Sequence, residues 1–418
     1  MSFCLKNKII ALAITIAIPC GAQETAFNKL YVPEQKDSVA VGKLAIDVDA
    51  LAFFRDNEYD SDITKGYTLP GAWVRPSVQY NPLQNIHLEL GVSALFFSGA
   101  NKYPCYSFHD IPMWKGEQYQ GGCHLLPWVR ADFKAGHFNF VLGNIYGGAN
   151  HDFSTPLYNK EQMLLADPEM GFQILFKDRH FRGDAYIDWQ SFQFRNDNHQ
   201  EVFTVGLSTK TTPFDRPTLR DFSVKASLLI QHRGGEMDVP SRPVETNHNA
   251  LVGILWEKDF KAGFFNSLAA EADVLGCFQQ TGHLWHFDSG VAYNASVTAN
   301  YLNGFHTQLG FFAAPSNFVS LYGNPYFTTV STKYEGQYYS GMKNAYLDFG
   351  YARTFAKAYT IGASLEMFSV HTGNANIIPT SSPNTGDVTL TTLPGKSEFN
   401  FAFGVYMRIN PSFIIGKH

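Results

Sequence analysis

The chain is expected to be all-β, an antiparallel transmembrane barrel of about sixteen strands with long outer loops and mostly short periplasmic turns. Three observations carry that expectation. Short stretches throughout alternate apolar with polar residues, as in KSEFNFAFGVYMRI. There Phe399, Phe401, Phe403, Val405, Met407 and Ile409 take one parity, while Glu398, Asn400, Gly404, Tyr406 and Arg408 take the other. Successive side chains of a strand point to opposite faces, so such a segment has one oily face and one wet face. The N-terminus places Lys6 and Lys8 before an apolar run at residues 9–18, with the small residues Gly21 and Ala22 following. That is the layout of a secretory signal, and the run is too short to span a bilayer as a helix. Finally, the connections alternate between roughly 10–28 residues and mostly 4–8, as outer loops and periplasmic turns do. An exported all-strand chain that enters lipid must close its sheet, because open edges leave backbone groups unsatisfied there.

Composition agrees. Charged residues make up 17% and aromatics 15%, with 36 Phe and 21 Tyr. A soluble domain carries roughly a quarter charged residues, and aromatics suit the girdles of a barrel. The net charge of −5 is small, which points away from nucleic acid as a partner. The mean hydropathy of −0.16 is compatible with a barrel, whose alternating strands average hydropathy away. The expected division is a signal peptide at 1–22, a periplasmic segment at 23–42 and the barrel at 43–418.

The strands follow in order. The first spans 43–55, with Leu44, Ile46, Val48, Ala50 and Ala52 outward. The second, 72–80, turns Val74, Pro76 and Val78 outward and leads through NPLQN into a third at 86–97. The fourth carries Leu125, Val129, Ala131 and Phe133 outward. Further strands cover 138–145, 170–177, 184–192, 201–209, 222–231, 250–256, 268–278, 291–301, 305–313, 344–351, 360–370 and 396–409. A merged or split hairpin would make fourteen or eighteen strands. Three features strain the pattern: 250–256 is almost entirely apolar, Trp73 and Leu95 fall on the inner face, and Pro76 and Pro127 cannot donate to a ladder.

The inner parity carries Arg75, Arg130, Lys225 and Arg408, with Asp47, Asp49, Glu89, Asp132, Asp184, Asp188, Glu271, Asp273, Asp348 and Glu366. Charges cost several kcal/mol facing lipid at mid-membrane, so a water-filled or ion-paired lumen is their place. They read as a selectivity field or as internal pairing that holds the wall. Arg75, Glu89 and Arg130 on neighbouring strands are candidates for one ion-pair rung.

Of the loops, the third (146–169) holds Gly147, Gly148 and the helix-compatible KEQMLLA, and is the candidate constriction. The seventh (315–341) is rich in aromatics, among them Tyr322, Tyr326, Phe327, Tyr334, Tyr338 and Tyr339, which read as packing or interfacial anchors. The eighth (372–395) is polar and reads as surface. Cys105 and Cys123 bracket the second loop, either as a disulfide or as two free thiols, and Cys277 reads as a structural thiol. His283, His286 and Asp288 have a spacing compatible with a metal, but a site needs three or four ligands in the right geometry, and neither metal nor cofactor is expected. No nucleophile elbow, phosphate loop or zinc-protease helix occurs, so enzymatic activity is not expected. An outer-membrane lipase would place a Ser and a His at the barrel's outer edge, and no such pair can be assembled from sequence.

The signal ending at Gly21-Ala22-Gln23, the hairpin rhythm, the aromatic strands and the C-terminal strand resemble Gram-negative outer-membrane porin-like β-barrels, over essentially the whole mature chain. One departure is that the chain runs on past its last strand through Pro411 and Phe413 to His418, whereas such barrels often end on an aromatic residue. The resemblance implies passive diffusion of small hydrophilic solutes, outer-membrane lipid as surroundings and, often, a homo-oligomer. The alternative is a barrel plugged by its own loops that docks a secretion, adhesion or surface-lipoprotein partner. An open charged lumen favours the first, and a lumen closed by aromatics and the third loop favours the second.

Overall fold

The computed structural model describes residues 40–415, apart from 98–122, 166, 192–199, 215–220, 236–242, 261–262, 335 and 379–390. The proposed signal segment and Cys105 lie outside the described residues. Alternation dictates the architecture, since each strand must bury one face and show the other to lipid. The strands are β1 (Leu44–Asp60), β2 (Lys65–Leu83), β3 (Ile86–Phe97), β4 (Cys123–Ala135), β5 (Phe138–Asn144), β6 (Met170–Lys177), β7 (Phe181–Ser191) and β8 (Val202–Thr211). They continue with β9 (Phe222–Arg233), β10 (Glu245–Asp259), β11 (Phe265–Thr281), β12 (Ser289–Tyr301), β13 (Phe305–Ala314), β14 (Gln337–Tyr339), β15 (Met342–Phe355) and β16 (Tyr359–Thr372). The last are β17 (Ala375–Ile377), β18 (Thr391–Leu393), β19 (Ser397–Ile409) and β20 (Ser412–Ile415).

Each barrel strand pairs antiparallel with its neighbour, and β19 closes on β1 through pairs such as Phe54 with Val405. Sixteen long strands among the described residues make the wall, and β14, β17 and β18 form a separate small sheet in the outer loops. The expected outer-membrane barrel is therefore the fold, with the expected strand number.

Several expectations are corrected in detail. β1 and β2 run on to Asp60 and from Lys65, so the first outer connection is only the short segment 61–64. The two strands have 17 and 19 residues, well beyond the roughly 9–11 that a tilted strand needs to span, so their outer ends form a protruding hairpin. The eighth loop, read as plain surface, contributes β17 and β18, which pair with β14 of the seventh. The tail after Pro411 is β20, which resumes pairing along the start of β1, with Leu44 opposite Ile415. Proline breaks the ladder at that point, and its carbonyl takes the Val48 N–H at 3.1 Å.

The strained registers hold. Trp73 and Leu95 are buried on the inner face. In β10, Leu251 and Leu255 point in, while Val252 and Ile254 are exposed to the lipid side. The β2–β3 ladder pairs Val74 with Ala94 and Ser77 with Gly91 and lapses at Pro76, where no N–H is available. Inside, Tyr186 lies over its cross-strand partner Gly206, and Tyr346 lies over Gly310. A Cβ at either glycine would enter the ring, so glycine is there to let tyrosine lie flat.

Candidate functional site

The lumen is shaped by two loops that fold inward. The third, 145–169, carries a 3-10 turn at Gly148–His151 and a single helical turn at Gln162–Leu165. Charged side chains fasten it at three points. Arg55 on β1 is almost fully buried; its Nε lies 3.1 Å from Glu161 in the loop, and its two Nη groups meet Glu366 on β16 at 2.8 and 2.9 Å. His151 lies between two carboxylates, Nδ1 2.7 Å from Asp184 and Nε2 2.7 Å from Glu169, with its ring stacked 3.7 Å from that of Tyr186. Burial by itself would lower the His151 pKa, but the charges and hydrogen bonds of Glu169 and Asp184 outweigh it and push it up to about 10. The imidazolium is thus a fixed cation in the loop. On the far wall, Lys225 Nζ reaches Ser154 Oγ at 3.2 Å and Glu271 at 3.0 Å, and Ser154 also donates to Glu271.

The seventh loop, 315–341, fills the side of the lumen bounded by β9 to β16. Phe318, Leu321, Tyr326 and Phe327 are buried against Leu229, Leu251, Leu275, Phe312 and Phe368 from the wall. Phe327 meets Phe312 and Tyr346 edge-on, with centroids 5.3 and 5.1 Å away. Strand asparagines satisfy the loop backbone. Asn249 bonds Val319 O and the Leu321 N–H, both at 2.7 Å, and Asn344 donates to Tyr326 O at 3.0 Å. The two loops also bind each other, the Asn159 N–H and Gln162 Nε2 donating to Tyr322 O at 2.8 and 2.7 Å. The packing role read for Tyr322, Tyr326, Phe327 and Tyr339 fits their burial, whereas Tyr334 is exposed.

On the other side, bounded by β1 to β4 and β19, the lumen opens as a cavity of about 240 Å³ reaching the periplasmic turn at Gln84 and Asn85. Asp47, Asp49, Arg75, Glu89, Arg130, Asp132 and Arg408 all line it. Arg408 bonds Asp49 through Nε at 2.9 Å and Nη2 at 2.7 Å, the two-point geometry that suits guanidinium and carboxylate. Arg130 meets Glu89 at 3.3 Å and lies 4.1 Å over Tyr146, whose hydroxyl donates to Asp132 at 2.9 Å. The expected rung of Arg75, Glu89 and Arg130 is only half present. Arg75 turns to Ser93 Oγ at 3.2 Å and stacks 4.0 Å over Trp73, because an inward Trp on its own strand offers it a π-face.

The remaining sequence-derived candidates serve other parts of the lumen. Asp188 lines a second cavity of about 290 Å³ on the outer side of the third loop, with Tyr186, Trp189, Thr204 and Tyr322. Asp348 and Glu366 line a third, where Lys160 approaches Asp348 at 3.5 Å. Lys225 and Glu271 anchor Ser154 as above, and Asp273 accepts from Asn294 at 3.0 Å. Cys123 stands exposed at the head of β4, and Cys277 receives the Val319 N–H. His283 pairs with Asp288 at 2.9 Å, while the His286 ring lies tilted against that of Tyr338, so the three do not converge.

Sequence reading missed Arg55, His151, Glu161 and Glu169. Arg55 falls at the very end of the expected first strand, and the others sit in a loop where no period marks them. The signal available was the density of ionisable groups in a loop already suspected of folding inward.

A closed barrel with an inward-folded pair of loops and an amphipathic wall defines an outer-membrane β-barrel protein. More particularly, the family described as Lipid A 3'-O-deacylase-type matches residues 34–418, and the chain belongs to that family. No curated protein matches. Among solved structures, the chain is similar to OccAB2 of Acinetobacter baumannii at 11% identity, covering 90% of this chain and 100% of that one, with a TM-score of 0.48. It is likewise similar to OccK8 (OprE) of Pseudomonas aeruginosa, at 10% identity, 91% and 100% coverage and a TM-score of 0.48. At identities this low no residue role passes from them to this chain.

The family corrects one expectation outright. Its description names an enzymatic activity, deacylation, so the reading of the chain as lacking enzymatic activity is overturned. The physical reason for the miss is that folding can bring side chains from separate strands of a barrel together. They are recognised by mutual geometry and leave no contiguous motif.

Proposed function

We propose that the barrel passes small hydrophilic solutes along a narrow path pressed against its β1–β8 wall, with the third loop as constriction. The observation that supports this is the pair of cavities. The periplasmic one and the outer one share Tyr158, Gln162, Asp167, Pro168 and Glu169, so one short segment of the third loop separates them. The charged groups around the periplasmic cavity are the proposed selectivity field, and residues 1–22 are the proposed export signal. The test is single-channel recording of the refolded protein in a planar bilayer, beside His151→Ala, which loosens the third loop. Small steps that grow in the variant are expected. Silence from both, in protein shown to be folded by heat-modifiable migration, overturns the channel reading.

A second reading is favoured by the family match over nearly the whole chain. It is hydrolysis of an ester-linked acyl chain on an outer-leaflet lipid. A long-chain ester is held in the bilayer, so this activity belongs on the outward face or rim, away from the polar lumen. The two readings use different surfaces of one barrel.

A further inference from the structure

At the outer ends of β15, β16 and β19, three polar side chains form a row on the face that otherwise meets lipid. Lys343 pairs in register with His371, and His371 with Ser397. All three are exposed. His371 Nδ1 lies 2.9 Å from Ser397 Oγ. Ser397 shares its parity with Phe399, Phe401 and Phe403, and His371 shares its parity with Ser369, so the pair faces out of the barrel. The base of the eighth loop holds the two strands together beside it, the Thr372 N–H donating to Lys396 O at 2.9 Å.

The row beneath, one step toward mid-membrane, reads Phe311, Ala345, Ser369 and Phe399 in register. Phe311 and Phe399 are 49% and 64% exposed, and the small Ala345 and Ser369 lie between them. This makes a shallow trough with aromatic walls running down from the polar row. An amphiphile in the outer leaflet would place an acyl chain there, its ester level with Ser397 and His371 and its anionic head near Lys343.

Building on the hydrolytic reading above, we propose that Ser397 and His371 form the nucleophile and general base of an esterase site for acyl chains of outer-leaflet lipids. His371 Nδ1 takes the Ser397 hydroxyl proton as Oγ attacks the ester carbonyl carbon. The carbon–oxygen ester bond breaks, and the imidazolium returns the proton to the departing alkoxide. Water, deprotonated by the same nitrogen, then cleaves the acyl-serine, releasing a fatty acid and restoring the hydroxyl. Lys343 is assigned to positioning the anionic head.

The test uses the full-length refolded protein with vesicles of two compositions, one holding a diacyl phospholipid and one holding an acylated glucosamine disaccharide phosphate. Released fatty acid is measured by mass spectrometry, and a fluorophosphonate probe reports the reactive serine. We expect release from at least one vesicle type, a probe adduct on Ser397, and at least a hundredfold loss in Ser397→Ala and His371→Ala, with Lys343→Ala raising KM more than it lowers kcat. Undiminished release in the Ser397 and His371 variants overturns this site while leaving lipid hydrolysis standing. No release from either vesicle and no adduct on the folded wild-type protein overturns both. The probe adduct on wild type decides the matter even if a variant fails to insert.

Discussion

On the β9–β16 side of the lumen, wall side chains meet the seventh loop across an aromatic core, with Phe312, Phe327 and Phe368 at its centre. On the side bounded by β1 to β4 and β19, they meet open space across a charged lining of Asp47, Asp49, Arg75, Glu89, Arg130, Asp132 and Arg408. Both halves come from the same period-two strands. The difference lies in what the inward parity carries: toward their outer ends β9 to β16 carry leucine, phenylalanine and asparagine, with Lys225, Glu271 and Asp348 lower down, whereas β1 to β4 and β19 line their cavity mainly with arginine and carboxylate. Apolar inward residues recruit a loop to cover them, because exposing them to lumen water is unfavourable, and the asparagines satisfy that loop's backbone. Charged residues keep their own water or pair along the wall, and leave room. The third loop lies on the boundary and is held by ion pairs to both sides.

That contrast can be broken most severely at Arg55. Arg55→Ala leaves Glu161 and Glu366 facing each other without their shared cation. Losing one partner of a buried charge network costs about 3–5 kcal/mol. A fall in the denaturant midpoint of the refolded barrel, with new protease cleavage within 145–169, is expected. An unchanged midpoint would mean the loop does not depend on this link.

Close in size is Phe327→Ala, which empties the middle of the packed half. Truncating a buried Phe costs about 3–5 kcal/mol. Ion conductance should rise with it, since the seventh loop loses its main anchor. Destabilisation without a conductance change would place the conducting path wholly in the charged half.

A smaller effect is expected from pH acting on His151. Its pKa is held up to about 10 against an ordinary value of 6.5, so its stabilising contribution is complete below about 6.5 and is lost as pH rises through about 10. Conductance should therefore increase toward high pH in wild type, and His151→Ala should flatten that dependence. A pH response that survives in the variant would assign it elsewhere.

The smallest structural effect belongs to Arg75→Ala in the open half. It removes a cation stacked on Trp73 while leaving the Arg408–Asp49 and Arg130–Glu89 pairs intact. The thermal midpoint should barely move, and the reversal potential in asymmetric salt should shift toward cations. A stability loss like that of Arg55→Ala would erase the distinction between the two halves.

What the sequence by itself determined is the barrel: the strand number, the face each residue takes, and the inward location of every charged candidate from Asp47 to Arg408. Parity is a local property, so a single strand read alone already assigns its faces. Even Trp73 and the apolar run of β10 kept the faces that alternation gave them. What only the tertiary structure decided is which of those groups meet. Arg55 finds Glu366 across the seam of the barrel, 311 residues away in sequence. His371 finds Ser397 across a loop, and Arg75 leaves Glu89 for an indole. The short C-terminal strand was likewise invisible, because it pairs with the first strand of the chain, more than 350 residues away in sequence. Closure of the sheet and the inward fold of two loops set these meetings, and their free energy comes from contacts between segments that share no local pattern.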